Sequence, residues 1–304
     1  MSGKTEGVAR SVHDRLVRHA KAEGLDPTLV FTRYGLERFL FRLGRSEHAD
    51  RFILKGALLL FAWLGEIGRT TRDADLLGLG DLSDEVLLAL MRDVCGQPVD
   101  ADGMSFDPDS VQVAAIRVED AYGGRRVLLV GALGAGRIKV QIDVGKGDAT
   151  VPEPDWLDVP VILDAPAPRL RAYRPETVVA EKLHAIVRLG LANTRLKDFY
   201  DLVALARTRT FDGATLRSSI EATFERRKTE LPAAIPSGLT APFATGDRRR
   251  QWTAFVTRNE LREAPELLEA LDEVAAFIGP ITWESVGDTA AFAWSPGSGW
   301  LVAS

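Results

Sequence analysis

Residues 71–78 read TRDADLLG, which places Asp73 and Asp75 on either side of a single alanine. If this stretch is a β-strand, the alternation of side chains puts both carboxylates on one face of the sheet. Their Cα atoms are then about 6.6–6.8 Å apart, so the side chains can converge on one hard cation. Magnesium is held by one or two carboxylates completed by water and substrate phosphates. The stretch therefore predicts a metal site carried by a strand.

A third carboxylate is available from a second predicted strand. In IKVQIDVG, residues 138–145, apolar residues alternate with polar ones that include Asp143. A neighbouring strand lies about 4.8 Å away, so Asp143 can join Asp73 and Asp75. Three carboxylates around two metal ions would fit the geometry of phosphoryl transfer. For the aspartate pair alone, the alternative is a loop in which the side chains cap or turn the chain.

A lysine interrupts the apolar stripe of the predicted helix 175–190. Lys182 falls in the middle of that stripe, so it either reaches water along its aliphatic stem or projects into a cleft that needs a cation, such as a triphosphate site. His184 is expected on the outer, solvated face. In the next helix, Asp198 lies at the edge of the apolar stripe and Asp201 lies further out. Either could hold Lys182, orient a ligand or merely pair within the helix, and Asp198 is favoured.

The first half of the chain changes from helical to strand-like patterning. Apolar residues recur at helical spacing over the first 50 residues, with a new helix expected near Pro27. A third helix is expected to begin at Gly56 and to end near Gly65. The glycine-rich stretch 131–137 is predicted to be a hairpin turn, since no phosphate-loop lysine follows it. Short connections favour an antiparallel meander of three segments, 110–120, 125–133 and 137–145.

The second half of the chain is predicted to be helical. A proline-rich stretch places a domain boundary near residue 170, which gives domains 1–170 and 171–304. A loop containing Pro232, Pro236 and Pro242 separates the last two helices. The tail, from residue 294, is expected to be loosely ordered. The predicted helices are 175–190, 195–208, 213–227 and 261–278.

Composition restricts the class of protein. The 304 residues are 46% hydrophobic and 27% charged, with a net charge of −5 and a single cysteine, which is typical of a cytoplasmic globular protein. The longest apolar run is too short to span a membrane. Two basic clusters, 226–228 and 248–250 with Trp252, could form a local RNA-binding face. A solvated charged face is the favoured interpretation of both.

Five stretches together resemble the AbiEii-type nucleotidyltransferases, which are toxins of bacterial toxin–antitoxin and phage-resistance systems in the DNA polymerase β-like superfamily. The stretches are LKGALLLFAWL, TRDADLLG, IDVGKGD, VVAEKLHAIVRLG and RLKDFYDLVALA. The resemblance covers roughly residues 10–207. It implies an α/β (α+β) fold in which a mixed, largely antiparallel sheet carries the metal site. A helical C-terminal lobe is then expected to close the active-site cleft.

The superfamily pattern is a glycine followed by glycine or serine at a helix start, then an aspartate, a hydrophobic residue and an acidic residue. Gly56 and the run Asp73-Ala74-Asp75 match this pattern, whereas Ala57 departs from it. Backbone N–H groups at that helix start can still bind phosphate. The resemblance thus implies nucleotide binding at Lys55 and Gly56.

The resemblance also implies roles for five further residues. Asp73 and Asp75 would be the metal aspartates, and Lys182 and Asp198 occupy the later catalytic motifs. Thr71, two residues before the first metal aspartate, corresponds to a regulatory phosphorylation site in some relatives.

The activity implied is transfer of a nucleotide from an NTP to an RNA 3′ end. The tRNA acceptor stem is the favoured target, and its modification would block translation. Mg²⁺ or Mn²⁺ is the expected cofactor, with Asp143 completing the metal site and Lys182 neutralising the β- and γ-phosphates. The expected partners are a cognate antitoxin, the RNA and the NTP, with no membrane. The alternatives are nucleotidyl transfer to a protein or small molecule, and a non-catalytic binding partner.

Overall fold

The computed structural model describes residues 2–65, 71–116, 123–261, 263–284 and 292–302. Contacts divide the chain into two compact units. The first unit comprises Met1–Ala62, Thr70–Gly147 and Asp155–Ala172. The second unit comprises Trp63–Arg69, Asp148–Pro154 and Tyr173–Ser304.

The first unit combines helices with one large sheet. Its helices are α1 (Ser2–Ala22), α2 (Pro27–Arg45), α3 (Gly56–Leu64, whose last two residues belong to the second unit) and α4 (Asp84–Gly96). Its strands are β1 (Phe52–Lys55), β2 (Asp73–Gly78), β3 (Met104–Ala115), β4 (Arg125–Leu133), β5 (Gly136–Lys146), β6 (Asp155–Asp158) and β7 (Arg169–Ala172). Residues 117–120, which end the predicted strand 110–120, lie outside the described residues.

The sheet is mixed and largely antiparallel, as predicted. Its strand order is β3-β4-β5-β2-β1-β7-β6. The β2–β5 and β1–β7 pairs are parallel, whereas the other neighbouring pairs are antiparallel. The predicted meander is confirmed in β3, β4 and β5, and the glycine-rich stretch between the last two is the predicted hairpin turn. The α/β (α+β) fold class is thereby confirmed.

Helix α2 lies directly against one face of β5. A Cβ added at Gly35 would lie 2.8 Å from Cγ2 of Ile138, so only a glycine allows this approach. Ile138, Val140 and Ile142 are buried on the covered face. Gln141 and Asp143 alternate with these residues and therefore lie on the other face. One face of β5 thus packs in the core and the other carries polar chemistry.

Helix α2 begins where the sequence predicts. The Asp26 side chain accepts a hydrogen bond of 2.8 Å from the Thr28 backbone N–H, and Pro27 occupies the first turn. Both features are typical of a helix N-terminus, where backbone N–H groups lack intrahelical partners. Among the helices of the described residues, none combines the length and apolar character needed to cross a bilayer.

The second unit is mainly helical, with a small sheet of order β10-β9-β8. Its helices are α5 (Pro175–Leu189), α6 (Leu196–Thr208), α7 (Gly213–Arg226), α8 (Gly246–Arg258) and α9 (Leu267–Ile278). Its strands are β8 (Phe211–Asp212), β9 (Phe292–Ser295) and β10 (Gly299–Val302). Helix α8 was not predicted from the sequence, because its exposed face is largely polar and three prolines precede it.

The prediction of a loosely ordered tail is wrong for residues 294–302. Strands β9 and β10 form a hairpin, and two indole N–H groups anchor it. Trp294 donates to the Ala206 carbonyl at 2.7 Å, and Trp300 donates to the Phe277 carbonyl at 2.9 Å. The Trp294 ring also lies 4.8 Å from that of Phe277. Aromatic packing thus orders a segment whose glycine and proline content suggested a loop.

Candidate active site

Strand register places four charged residues in one row across the sheet of the first unit. Asp75 on β2 is directly opposite Lys55 of β1 on one side and Asp143 of β5 on the other. Asp143 in turn is opposite Arg126 of β4. Directly opposed residues share a face of the sheet, so the side chains of this row lie side by side. We refer to Lys55, Asp75, Asp143 and Arg126 as the charged row.

Asp73 lies on the same face, two residues before Asp75. The Thr71 hydroxyl donates to its Oδ1 at 2.7 Å. The Gln141 amide, opposite Asp73 in the register, lies within hydrogen-bonding distance of both Asp73 and the Arg126 guanidinium. Asp73 and Asp75 are half-buried, whereas Ala74 between them is fully buried on the other face. The two carboxylates are therefore oriented by the strand and by neighbouring polar groups.

Gly56 brings the start of α3 against the Asp75 carboxylate. Its φ of +74° lies in the left-handed region that favours glycine. A Cβ at this position would lie 2.0 Å from Oδ2 of Asp75, closer than any real contact. The backbone N–H groups of a helix N-terminus favour anions. A phosphate bound there would therefore lie beside the aspartates of β2.

Arg126 was not identified from the sequence. Its Nε and Nη2 donate to the two carboxylate oxygens of Asp143 at 2.8 and 2.7 Å. These hydrogen bonds raise the pKa of Arg126, and the charges of Asp143, Asp73 and Asp75 act in the same direction. The signal was nevertheless present, because a two-residue turn at 134–135 pairs Leu133 with Gly136. Counting outward from that turn gives the pair Arg126 and Asp143.

The carboxylates of Asp73 and Asp75 are oxygen ligands of the kind that a hard cation such as Mg²⁺ prefers. Three carboxylates, Asp73, Asp75 and Asp143, lie beside the two cationic side chains of the charged row, so these five residues together carry one excess negative charge. Within the described ranges, no group of three His, Cys, Asp or Glu side chains is arranged to hold a metal. The Asp143 oxygens accept from Arg126 instead, and a metal ligand role for Asp143 stays a prediction. Two carboxylates suffice for magnesium when phosphates complete the shell.

A second charged cluster lies in the second unit. Nζ of Lys182 lies 3.0 Å from Oδ1 of Asp198 and 2.6 Å from Oδ2 of Asp201. Arg195 donates from Nε to Oδ2 of Asp198 at 2.7 Å. The sequence left open which aspartate holds Lys182, and the structure shows that both do. We call these four residues the lysine cluster.

Burial distinguishes the lysine cluster from the charged row. The side chains of Asp198 and Asp201 are 0% and 2% exposed, and that of Lys182 is 12% exposed. Burial by itself raises the pKa of Asp198, but the charges of Lys182 and Arg195 and their hydrogen bonds outweigh it and hold this pKa below its ordinary value. With two cations and two anions, the cluster is electrically balanced. The predicted contact of Lys182 with a triphosphate stays a prediction.

The prediction that His184 lies on a solvated outer face is wrong. His184 is 3% exposed, and its Nε2 lies 2.9 Å from the Thr229 hydroxyl. Its ring meets that of Phe224 edge to face at 5.2 Å between centroids. A helical projection of α5 shows only the residues of α5 itself. Helix α7 packs against the side of α5 that carries His184, and this contact buries the imidazole.

The two basic clusters are only partly available for RNA. Arg227 lies 2.7 Å from Oδ1 of Asp148, in an ion pair with 18% of its side chain exposed. Trp252 is buried, and its indole N–H donates to the Pro265 carbonyl at 2.9 Å. Trp252 therefore packs in the core of the second unit, whereas Arg249 is exposed on α8.

The sequence matches the family described as nucleotidyl transferase AbiEii toxin, type IV TA system, over residues 38–276. The match covers most of the 304 residues, and it includes the charged row and the lysine cluster. The match identifies a nucleotidyltransferase of the toxin–antitoxin class. The chain belongs to the AbiEii family. Membership implies an enzyme that uses an NTP and has an antitoxin partner.

Two solved structures from Helicobacter pylori are similar to this chain. JHP933 is 15% identical with a TM-score of 0.45, covering 80% of this chain and 87% of its own. A candidate nucleotidyltransferase is 15% identical with a TM-score of 0.43, covering 92% of this chain and 96% of its own. No curated protein matches the sequence. The family assignment therefore rests on the sequence match over residues 38–276.

Proposed function

We propose that this toxin transfers a nucleotide from an NTP to the 3′ hydroxyl of an RNA, with the tRNA acceptor end as its target. An added nucleotide would block aminoacylation and so arrest translation. The observation that carries the proposal is that the charged row lies beside the N-terminus of helix α3, which begins at Gly56. This arrangement combines carboxylates for a divalent cation with backbone N–H donors for a phosphate. The reaction and its substrates would lie in the cytoplasm.

In this reaction the RNA 3′ oxygen bonds to the α-phosphorus of the NTP, and the bond from that phosphorus to the bridging oxygen of pyrophosphate breaks. The N-terminus of α3 at Gly56, together with Lys55, would bind the phosphates. Asp73 and Asp75 would hold Mg²⁺ or Mn²⁺. When bound, the ion supplies positive charge that offsets the triphosphate and the charge developing on the reacting oxygens.

The hydroxyl proton leaves with the help of a carboxylate on the same face. Asp143 is the sequence-based candidate for this role. Its oxygens accept two hydrogen bonds from Arg126, so it must first release that guanidinium. Arg126 would then be free to interact with a phosphate oxygen, since guanidinium groups bind phosphates well. Lys182 would neutralise phosphate charge, and Asp198 would position its ammonium group.

The experiment is a transfer assay with purified protein. Total tRNA, magnesium and each α-labelled NTP in turn are incubated with wild type, Asp75→Asn and Asp272→Asn. Asp272 is an exposed aspartate on α9 and serves as the matched control. We expect label on tRNA with wild type and Asp272→Asn, and a loss of about 10³-fold with Asp75→Asn, since losing metal charge costs several kcal/mol.

Other outcomes distinguish the alternatives. Label on a protein band, with none on RNA, would contradict the RNA target and favour transfer to protein. Equal labelling by wild type and Asp75→Asn would contradict the assigned site. Absence of label on any acceptor would favour a non-catalytic binding partner.

A further inference from the structure

A cavity in the first unit is separate from the charged row. Its volume is about 830 Å³, within the range of about 300–1,000 Å³ typical of small-molecule sites. Helices α1 and α2 and the loop segments 98–102 and 163–166 line it. Helix α2 covers the apolar face of β5, whereas Asp143 lies on the opposite face. The cavity and the charged row are therefore on different sides of the sheet.

Arg38 in the cavity wall is a buried cation with unsatisfied hydrogen-bond donors. It is 0% exposed. Nη2 donates to the Pro166 carbonyl at 2.9 Å, but Nε and Nη1 have no hydrogen-bond partner among the described residues. Burial lowers the pKa of Arg38 from its ordinary value. A buried guanidinium that lacks acceptors is unusual, because leaving such donors unpaired is costly.

Three aspartates line the cavity, and two of them are paired with other arginines, whereas Asp100 is exposed. Asp102 accepts from Nη1 and Nη2 of Arg42 at 2.7 and 3.1 Å. Asp164 lies 3.2 Å from Nη2 of Arg15. None of these aspartates accepts a hydrogen bond from Nε or Nη1 of Arg38, so a ligand could supply the acceptors.

The walls beside Arg38 suit a flat or apolar group. The Phe41 ring lies 5.1 Å from the guanidinium carbon of Arg38 and 5.9 Å from that of the exposed Arg45. Val8 and Val12 of α1 add apolar surface to the lining. Val8 and Val12 precede residue 38, where the family match begins. An anionic group next to an apolar body would complement this combination of charge and surface.

We propose that this cavity binds a small organic anion. Its carboxylate or phosphate would accept hydrogen bonds from Arg38 and be attracted by Arg45. Its flat or apolar part would pack on Phe41, Val8 and Val12. Charge-assisted hydrogen bonds in a buried site are about twice as strong as neutral ones, so the anionic group would dominate affinity.

Three probes of similar size test the chemistry: phenyl phosphate, benzoate and the neutral benzyl alcohol. Binding to the full-length protein is titrated to 20 mM by saturation-transfer NMR and checked by calorimetry. We expect saturable binding of phenyl phosphate or benzoate, whichever anion the cavity prefers. Benzyl alcohol should bind at least about tenfold more weakly, because it offers no charge to Arg38.

Four variants locate the binding. Arg38→Gln should raise the Kd of the anionic probe at least about tenfold. Ser11→Trp, an exposed position on the cavity lining, should also weaken binding by filling the mouth, and it keeps the test decisive if Arg38→Gln does not fold. Arg10→Gln, an exposed arginine of α1 outside the lining, is the matched control. Arg10→Gln and Asp75→Asn should leave the Kd unchanged.

Three results would overturn the proposal. One is the absence of saturable anion binding to wild type. Another is an unchanged Kd in both Arg38→Gln and Ser11→Trp, each confirmed as folded by circular dichroism. The third is loss of binding in Asp75→Asn, which would move the probe to the charged row.

Discussion

The charged row and the lysine cluster each consist of one lysine, one arginine and two aspartates, but their side chains differ in burial. In the charged row, Arg126 and Asp143 pair with 41% and 17% of their side chains exposed, and Asp73 adds a third carboxylate beside the row. In the lysine cluster, two cations neutralise two aspartates that are almost fully buried. With Asp73 included, the first arrangement carries one excess negative charge, whereas the second is neutral. The difference shows that burial and local charge balance, more than residue type, distinguish the two groups of residues.

The largest expected effect on stability is at the lysine cluster. Lys182→Met should lower the free energy of unfolding by about 3–5 kcal/mol, because it removes the ammonium group that two buried aspartates share and leaves Arg195 as the cation at Asp198. Arg126→Gln removes a more exposed partner and should cost less than about 1 kcal/mol. Urea unfolding of both variants and wild type measures the difference. Equal losses would show that burial does not distinguish the two regions.

The next prediction concerns Gly56, which brings the backbone of α3 against the charged row. Gly56→Ala should cost about 1–3 kcal/mol and abolish nucleotide transfer, since the added methyl group collides with the Asp75 carboxylate. Gly24→Ala is the control, because its φ of +65° is similar but no atom lies within 4 Å of its Cβ position. It should lose stability through strain alone and keep its activity. If Gly56→Ala were as active as Gly24→Ala, the close approach of α3 would be irrelevant to the reaction.

The depressed pKa of Asp198 predicts the pH dependence of the lysine cluster. A carboxyl whose pKa is lower in the folded state stabilises the fold above its unfolded pKa, about 3.9 for Asp. That contribution is lost as the pH falls through the folded pKa. The difference in unfolding free energy between wild type and Asp198→Asn should therefore be constant from pH 7 to about pH 5 and shrink below it. Unfolding curves of wild type and Asp198→Asn from pH 7 to pH 3 test this; a difference that grew on acidification would contradict the sign.

The smallest expected effect concerns Thr71, the predicted phosphorylation site. Thr71→Glu places a negative charge where a hydroxyl donates to Asp73, so we expect nucleotide transfer to fall about tenfold through like-charge repulsion. Thr71→Val removes only the hydrogen bond and should lose less activity. Transfer rates at saturating magnesium measure both. Full activity in Thr71→Glu would argue that charge at this position does not regulate the site.

Local patterning carried much of the site prediction. Alternation along β2 and β5 placed Asp73, Asp75 and Asp143 on polar faces, and the glycine turn predicted the hairpin that joins β4 to β5. These features depend on neighbours within a few residues, which a sequence shows directly. Arg126 was within reach of the same reasoning, because a two-residue turn sets the register of the whole hairpin.

Other features were beyond local patterning. His184 and Trp252 were expected to face solvent, and both are buried by elements distant in the sequence. Helix α8 and the terminal hairpin were missed because charge, glycine and proline content outweighed the tertiary packing that orders them.

The sequence by itself determined the strand alternation, the hairpin turn, the helix starts at Pro27 and Gly56, and membership of the AbiEii family. Only the tertiary structure decided that Lys182 is shared by two aspartates, that Arg126 clamps Asp143, and that Arg38 is buried beside a cavity. The physical reason is the distance along the sequence over which each effect acts. Periodicity and turn chemistry act between near neighbours, whereas burial and charge pairing depend on which distant segments meet when the core forms.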